Sequence, residues 1–427
     1  MAASSLWRHR DFLLLWSGQS VSELGSAVTT VALPLTAVVW LRASTLEVGL
    51  LSAATTVPFL LIALPAGLVV DRLHKRPMMI GCDLARMLII GSLPIAYAAG
   101  ALTLAQLYVA AVAAGIATVF FDVAYQSYVP HLLATEQLID ANGKLGATQA
   151  FAQVAGPGVG GALFGLIKAG AMTADAASFA VSWLTILGIR AQEPAIARSP
   201  PSAEAPRLRT ELLAGLVFVV RHPVLRKIAA CTGTANLFAQ MAFALEIIFL
   251  VRVLHVPVAY TGALLAVGGV GGVLGGISSG AIGRRIGTAR LIWVSMLCFG
   301  AAQMLMPLTE PGWRLALFPL AGFSFGVTSV LYNISQLSYR QSICPPELLG
   351  RMNAAIRWIV WGTLPLGGLL GGVLGSTIGI RPTLWIGVVG AWASGFWVLA
   401  SPLRTMRDIP GVARPVSGGA TEVPETA

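Results

Sequence analysis

Apolar residues run along this chain in stretches of about 20 or more, the length at which a helix crosses the hydrocarbon of a bilayer. Twelve such runs are legible, at 12–40, 47–70, 77–99, 103–129, 141–168, 172–190, 227–252, 258–282, 289–309, 313–339, 350–378 and 381–401. A polar stretch at 191–226 separates the first six from the last six. The pattern therefore predicts an all-α membrane protein with an N-terminal six-helix bundle at 1–190 and a C-terminal one at 227–402. The linker at 191–226 is rich in Pro, Ser and Ala around 193–206, and Glu211 to Val220 reads as a short amphipathic helix along the membrane surface. The tail at 403–427, with Pro410, Pro415 and Gly418-Gly419, reads as disordered.

The two halves repeat one another. Gly67-Leu-Val-Val-Asp71-Arg72-Leu-His-Lys75-Arg76 recurs, with one acid lost, as Gly280-Ala-Ile-Gly-Arg284-Arg285-Ile-Gly287, an offset of 213 residues. Glu136-Gln-Leu138 answers to Glu347-Leu-Leu349, and Gly160-Gly161 to Gly371-Gly372, each at an offset of 211. A register kept along the whole chain predicts copies related by pseudo-two-fold symmetry, facing each other across a central path.

Composition narrows the class further. Apolar residues make up 56% of the 427 positions and charged ones 11%, a profile that excludes an ordinary soluble enzyme. The net charge of +10 could suggest nucleic acid, but the positive residues alternate by loop. Arg8, Arg72, Lys75, Arg76, Arg284, Arg285, Arg340 and Arg404 share the side of both termini, whereas the opposite side holds little beyond Arg42, Lys168, Arg252, Arg314 and Arg381. The positive-inside rule places both termini in the cytoplasm. Cys82, Cys231, Cys298 and Cys344 form no metal-ligand spacing and read as packing residues or free thiols. No phosphate-binding loop or HExxH occurs, so neither a cofactor, a metal site nor enzymatic activity is expected.

The candidate moving parts are the turns between spans. Asp71-Arg72 and Lys75-Arg76 stand where the second span leaves the membrane, one helical turn after Gly67. A glycine there admits a neighbouring helix, and the carboxylate can pair with a cation or a helix N-terminus of the other half, making a latch. Asp83 and Arg86 share a helix face close by and can neutralise each other, and Arg357 is a candidate partner from the eleventh span. This loop resembles the signature loop of the major facilitator superfamily. Leu14-Leu15-Trp16-Ser17-Gly18-Gln19, Arg221-His222-Pro223-Val224-Leu225-Arg226 and Pro346-Glu347-Leu348-Leu349-Gly350-Arg351 resemble its efflux branch, which contains enterobactin exporters and macrolide-efflux permeases. Gly156-Pro157-Gly158-Val159-Gly160-Gly161 is similar to the antiporter motif of that superfamily, although Ala152 stands where the fuller pattern has glycine.

Charge inside a membrane persists only for a reason. Glu23, Asp122 and Glu246 are the proton-coupling candidates, because a carboxyl can exchange a proton for a substrate. At the repeat offset Glu23 corresponds to Asn236 and Asp122 to Asn333. Two departures from the resembled family bear on this. Many of its members have Asp directly after the glycine of the first span, where this chain has Ser26 after Gly25, and no arginine occurs between Leu104 and Tyr128. Sodium coupling or facilitated diffusion therefore stays open. Gln19, Tyr125, Asn236, Gln240, Phe243, Tyr332 and Asn333 are the candidates for a substrate cavity, whose aromatic surface suits an amphipathic or lipophilic molecule.

Taken with the resemblance, these residues imply a monomeric exporter of a small organic compound, a drug, natural product or siderophore, working by proton antiport and alternating access in a bacterial inner membrane. An importer on the same scaffold and a non-transporting membrane sensor are the alternatives.

Overall fold

The computed structural model describes residues 6–134, 137–191, 193, 216–344 and 346–409. Most of the expected linker, including the start of its amphipathic helix, and the expected tail from 410 onward lie outside the described residues, as do Glu136 and the side chains of Asp71 and 346–351. The first part of that tail, 403–409, is ordered rather than disordered, because Leu403 and Ile409 are buried and the Arg407 carbonyl accepts from the Ala289 amide at 3.1 Å.

The chain is all-helical, with no strand among the described residues. The N-terminal half contains α1 (Arg10–Leu35), α2 (Thr45–Asp71), α3 (Lys75–Ala98), α4 (Leu104–Leu132), α5 (Leu138–Ile167) and α6 (Met172–Leu187). The C-terminal half contains α7 (Leu225–Ile248), α8 (Val258–Ile286), α9 (Arg290–Val294), α10 (Leu317–Ile343), α11 (Pro346–Thr377) and α12 (Ile380–Ala393). Among the described residues, ten helical stretches are long and apolar enough to cross a membrane. One of them, Asp140–Leu187, holds both α5 and α6, and α9 belongs to a shorter apolar helix, Arg290–Leu305, which passes through a wide π turn and then a tight 3₁₀ turn.

Polar caps set several helix starts. Ser44 and Glu47 form a reciprocal capping box on α2, with Ser44 N donating to Glu47 Oε2 at 2.7 Å. Thr103 accepts from the Gln106 amide at the start of α4, and His222 Nδ1 accepts from the Val224 and Leu225 amides, each at 3.2 Å, before α7. Both α1 and α7 end in a π turn, Thr36–Trp40 and Phe249–Val253, and each is followed by a non-glycine residue in the left-handed region, Arg42 and His255. The repeat thus extends to backbone irregularities, since Arg42 and His255 are themselves 213 positions apart.

Packing repeats in the same way. In the first half α1 packs on α5 and α6, α4 on α2 and α3, and α3 on α6; in the second half α7 packs on α11 and α12, and α10 on α8 and on the α9 segment. Between the halves the extensive contacts are α2 with α11 and α5 with α8, which exchange under the same two-fold relation.

The apolar core shows how the halves meet. At the end remote from the termini a single cluster contains Val31, Leu35 and Leu51 of one half together with Leu245, Phe249, Phe318 and Leu384 of the other. At the terminus-bearing end the cores part. Phe12, Phe121 and Tyr128 belong to a cluster of the first half, and Ile228, Tyr332, Met352 and Ile356 to clusters of the second. The molecule is closed at one end and divided at the other.

Candidate functional site

Glycine pairs make the closed end. Gly49 of α2 touches Gly372 of α11, and Gly161 of α5 touches Gly262 of α8; a Cβ on Gly161 would lie 2.6 Å from the Gly262 nitrogen. Only hydrogen side chains allow these backbones so close together. Gly156 and Gly160 turn the other way, against Ala27 and Val28 of α1, so the glycine-proline motif seals α5 on two sides. Arg252, at the end of α7, adds polar contacts across the halves, donating to the carbonyls of Val38 at 3.0 Å and Ala43 at 2.7 Å. Halfway down, Gln240 donates to Ser52 at 2.9 Å and the Phe59 ring meets the Trp361 ring edge-on.

Towards the termini this contact ends. Among the described residues a Cβ on Gly67 would meet nothing within 4 Å, and one on Gly280 would meet only Arg284 of its own helix. The two glycines of the signature turn and its echo are therefore free of the opposite half in this conformation.

Between the halves lies a cavity of about 1090 Å³, comparable to the upper range for sites that enclose a drug-sized molecule. Most of its wall is apolar, with Phe59, Phe179, Phe243 and Phe325 among its rings, and Phe243 meets Phe325 edge-on. Hydroxyls and amides from Ser26, Thr29, Ser52, Gln153, Gln240 and Gln303 interrupt it. Its ionisable residues are two acids, Asp175 on α6 and Glu246 on α7; no Lys, Arg or His lines it among the described residues. Glu246 has no hydrogen bond or ion pair there among those residues.

Of the residues expected to line the cavity, Gln240 and Phe243 do so, and of the expected acids, Glu246. Gln19, Glu23, Asp122, Tyr125, Asn236, Tyr332 and Asn333 are not part of its wall, because they sit nearer the terminus-bearing end of α1, α4, α7 and α10. There Glu23 accepts from Gln19 at 2.9 Å, while Glu23, Arg86 and Arg357 are the charges that act on Asp122. Tyr125 stacks on Phe121, Asn236 reaches the Val360 carbonyl at 3.5 Å, Asn333 accepts from Gln336, and Tyr332 is buried with its hydroxyl 2.7 Å from that of Thr232.

The residues of the expected latch divide. Asp83 and Arg86 are buried as an ion pair, Ser182 donates to the other oxygen of Asp83 at 2.7 Å, and the Arg86 guanidinium lies between the Phe121 and Phe179 rings at 4.1 and 4.4 Å. The set ties α3, α4 and α6 together within one half. Arg76 donates to the carbonyls of Ile186 and Leu187, which end α6, and the amides of Lys75 and Arg76 are capped by Glu193. Arg72 is exposed, and Arg357, also exposed, lies over its own-helix neighbour Trp361.

Three features escape a linear reading. Glu193 caps α3, and Asp408 does the same for the equivalent turn of the second half by accepting from the Thr288 amide. Arg252 reads only as an outlying positive charge. Asp175 sits in the first turn of α6, where an acid is an ordinary helix-starting residue. Ser26 donates to it at 3.3 Å. A carboxylate from α6 thus stands beside the position after Gly25.

Residues 15–365 match the Major Facilitator Superfamily. The chain is 26% identical over 402 residues to the multidrug efflux pump Tap of Mycolicibacterium fortuitum, covering 89% of this chain and 95% of that protein. It is 25% identical to macrolide efflux protein A of Streptococcus pyogenes, over 87% and 90% of the two chains. In fold it superposes on a variant of nucleoside transporter NupG with a TM-score of 0.77 and 13% identity, covering 91% of this chain and 99% of the other.

Proposed function

The chain belongs to the Major Facilitator Superfamily and is a membrane transporter; from that premise we propose that it exports a small lipophilic organic compound from the bacterial cytoplasm in exchange for protons. The observation that carries this reading is the cavity between the halves, apolar over most of its wall and acidic where it is charged. An apolar enclosure favours a molecule that leaves water readily, and an acid in it can hold either a proton or a positive charge of the substrate. The efflux proteins that resemble the chain support the outward direction.

With both termini in the cytoplasm, as the distribution of arginines favours, the divided end faces inward and the glycine-sealed end outward. Substrate enters from the inner side and meets Gln240, Phe243 and Glu246. Rocking of the halves then parts Gly49 from Gly372 and Gly161 from Gly262, releases Arg252 from Val38 and Ala43, and brings the turns at Gly67 and Gly280 against the opposite half. Asp71, Arg72, Lys75 and Arg76 act there as the inner latch, with Arg357 opposite, while Asp83 and Arg86 hold the helices behind it. Glu23, Asp122 and Glu246 are the acids through which proton entry drives the cycle, and the protein works as a monomer.

Inverted membrane vesicles carrying the protein test this with ethidium, erythromycin and ferric enterobactin as probes, with and without a proton gradient. Gradient-dependent uptake of at least one probe, weakened by Glu23→Gln, Asp122→Asn or Glu246→Gln, is the expected result. Movement of every probe that ignores the gradient would sink proton antiport, and accumulation only in right-side-out vesicles would reverse the direction.

A further inference from the structure

Asp175 is 2% exposed, yet it belongs to the cavity wall, so the cavity is its route to water. Its Oδ1 accepts from Ser26 of α1 and from Ser178 one turn along α6, each at 3.3 Å. Gly25 makes this meeting of helices possible, since a Cβ there would lie 2.6 Å from the Ser178 Cβ and 3.0 Å from the Asp175 Cα. Thr29, one turn on from Gly25 and Ser26, also lines the wall, and its buried hydroxyl stands close enough to act on the Asp175 carboxyl although it makes no well-aligned hydrogen bond.

We infer that Asp175 is a proton-exchange site of the cavity, held by Ser26 and Ser178 and completed by Thr29. This deepens, and rests on, the reading of the chain as a proton-coupled exporter. A hydroxyl both donates and accepts. Ser26 donates to the carboxylate, Ser178 shares its proton between the carboxylate and the Asp175 carbonyl at 2.7 Å, and the Thr29 hydroxyl beside them can donate to the carboxylate or turn to accept the O–H of the carboxylic acid. The site therefore satisfies both protonation states without moving a helix. The exchange itself makes and breaks only an O–H bond: the acid gives its proton to cavity water and becomes carboxylate, and a proton arriving through water from the other side restores it.

The surrounding charges leave Asp175 available. On α3, Arg86 acts on it but is already paired with Asp83 and enclosed by two rings. α1 presents it with hydroxyls, and the other acid of the cavity wall, Glu246, belongs to the opposite half. Substrate in the cavity would thus meet one acid from each half, and a proton released at Asp175 leaves from the same space the substrate occupies.

The test uses the purified protein in liposomes with ethidium, erythromycin and ferric enterobactin as probes, comparing Asp175→Asn and Asp175→Glu with wild type. Asp175→Asn should lose gradient-driven accumulation at least tenfold. Asp175→Glu should recover accumulation with a displaced pH profile. A companion measurement needs no substrate: infrared difference spectra between two pH values should lose a titrating carboxyl band in Asp175→Asn. Gradient-driven accumulation at wild-type rate in Asp175→Asn, or an unchanged carboxyl band, would each overturn the assignment. Wild-type protein whose transport ignores the gradient would instead overturn the exporter reading on which it rests.

Discussion

Gly161 of α5 touches Gly262 of α8, and the residues that correspond to them in the repeat, Gly372 and Gly49, touch each other on the opposite side of the cavity. The same pair of positions is therefore used twice, with the roles of the halves exchanged. Valine at Gly161 or Gly262 cannot occupy the space without separating the helices. Spin labels at the exposed turn residues Arg42 and His255 should move apart in Gly161→Val, with a smaller change in Gly161→Ala. An unchanged distance distribution would show that the contact does not hold this end shut.

Arg252 should matter at the same end for a different reason. Its two bonds go to carbonyls of the other half, and a hydrogen bond made by a charged donor is worth roughly 1.5 to 3 kcal/mol in context. Arg252→Ala should raise the population opened at that end by about tenfold, the equivalent of about 1.4 kcal/mol. Arg252→Lys should restore part of the effect, since both bonds leave one terminal nitrogen, Nη2, and an ammonium has donors for both but sits on a stem of different reach. Labelling of a cysteine introduced at Thr29 by a membrane-impermeant thiol reagent, after blocking of the native cysteines, would report it.

The buried pair of Asp83 and Arg86 belongs to stability. Asp83→Asn leaves the guanidinium among Phe121, Phe179 and Ser182 without its counter-charge, at a cost of about 3–5 kcal/mol. Removing both charges, as in Asp83→Leu with Arg86→Met, should cost much less than the single change. Thermal unfolding in detergent distinguishes the two, and equal destabilisation would show that the ring packing rather than the charge pair matters.

His222 predicts a pH effect outside the spans. Burial holds its pKa below the ordinary value of 6.5, and its Nδ1 is the acceptor that caps the start of α7. Because the folded value lies below the unfolded one, its stabilising contribution is complete above the ordinary histidine range and is lost as pH falls through that range towards the folded value. Hydrogen exchange at the Val224 and Leu225 amides should quicken on acidification beyond the intrinsic chemical trend. His222→Ala should make exchange fast at every pH and remove the dependence.

The fold was legible because membrane helices advertise their length and because the repeat keeps its glycines in register. Gly160-Gly161 and Gly371-Gly372 could be paired by spacing alone, and their partners Gly49 and Gly262 then lie at an offset of 213, the one that relates Gly67 to Gly280. The cavity was less legible. Glu23 and Asp122 stand out along the sequence as charges in apolar runs, but a position along a helix does not say how deep the cavity reaches, and both sit nearer its open end. Asp175 had the opposite difficulty. In Met172-Thr-Ala-Asp-Ala-Ala-Ser178 it looks like an acid that starts a helix, and its meaning comes from Ser26, 149 residues away. Arg252 likewise acquires a role only when the turn at Val38 and Ala43 is brought beside it.

The empty space around Gly67 and Gly280 is more than a missing contact. Both glycines lie on the helices, α2 and α8, that already carry Gly49 and Gly262 near their other ends. Each of these helices thus carries a filled notch near one end and a vacant one near the other, about 18 residues apart along its axis, which at 1.5 Å per residue is roughly 27 Å. Such a helix can behave as a rocker on a table. As it tips, the touching point travels from one notch towards the other, and area surrendered at one end is regained at the far end. The two conformations can then be close in energy without either being loosely packed, so the small free energy of one substrate or one proton is enough to decide between them.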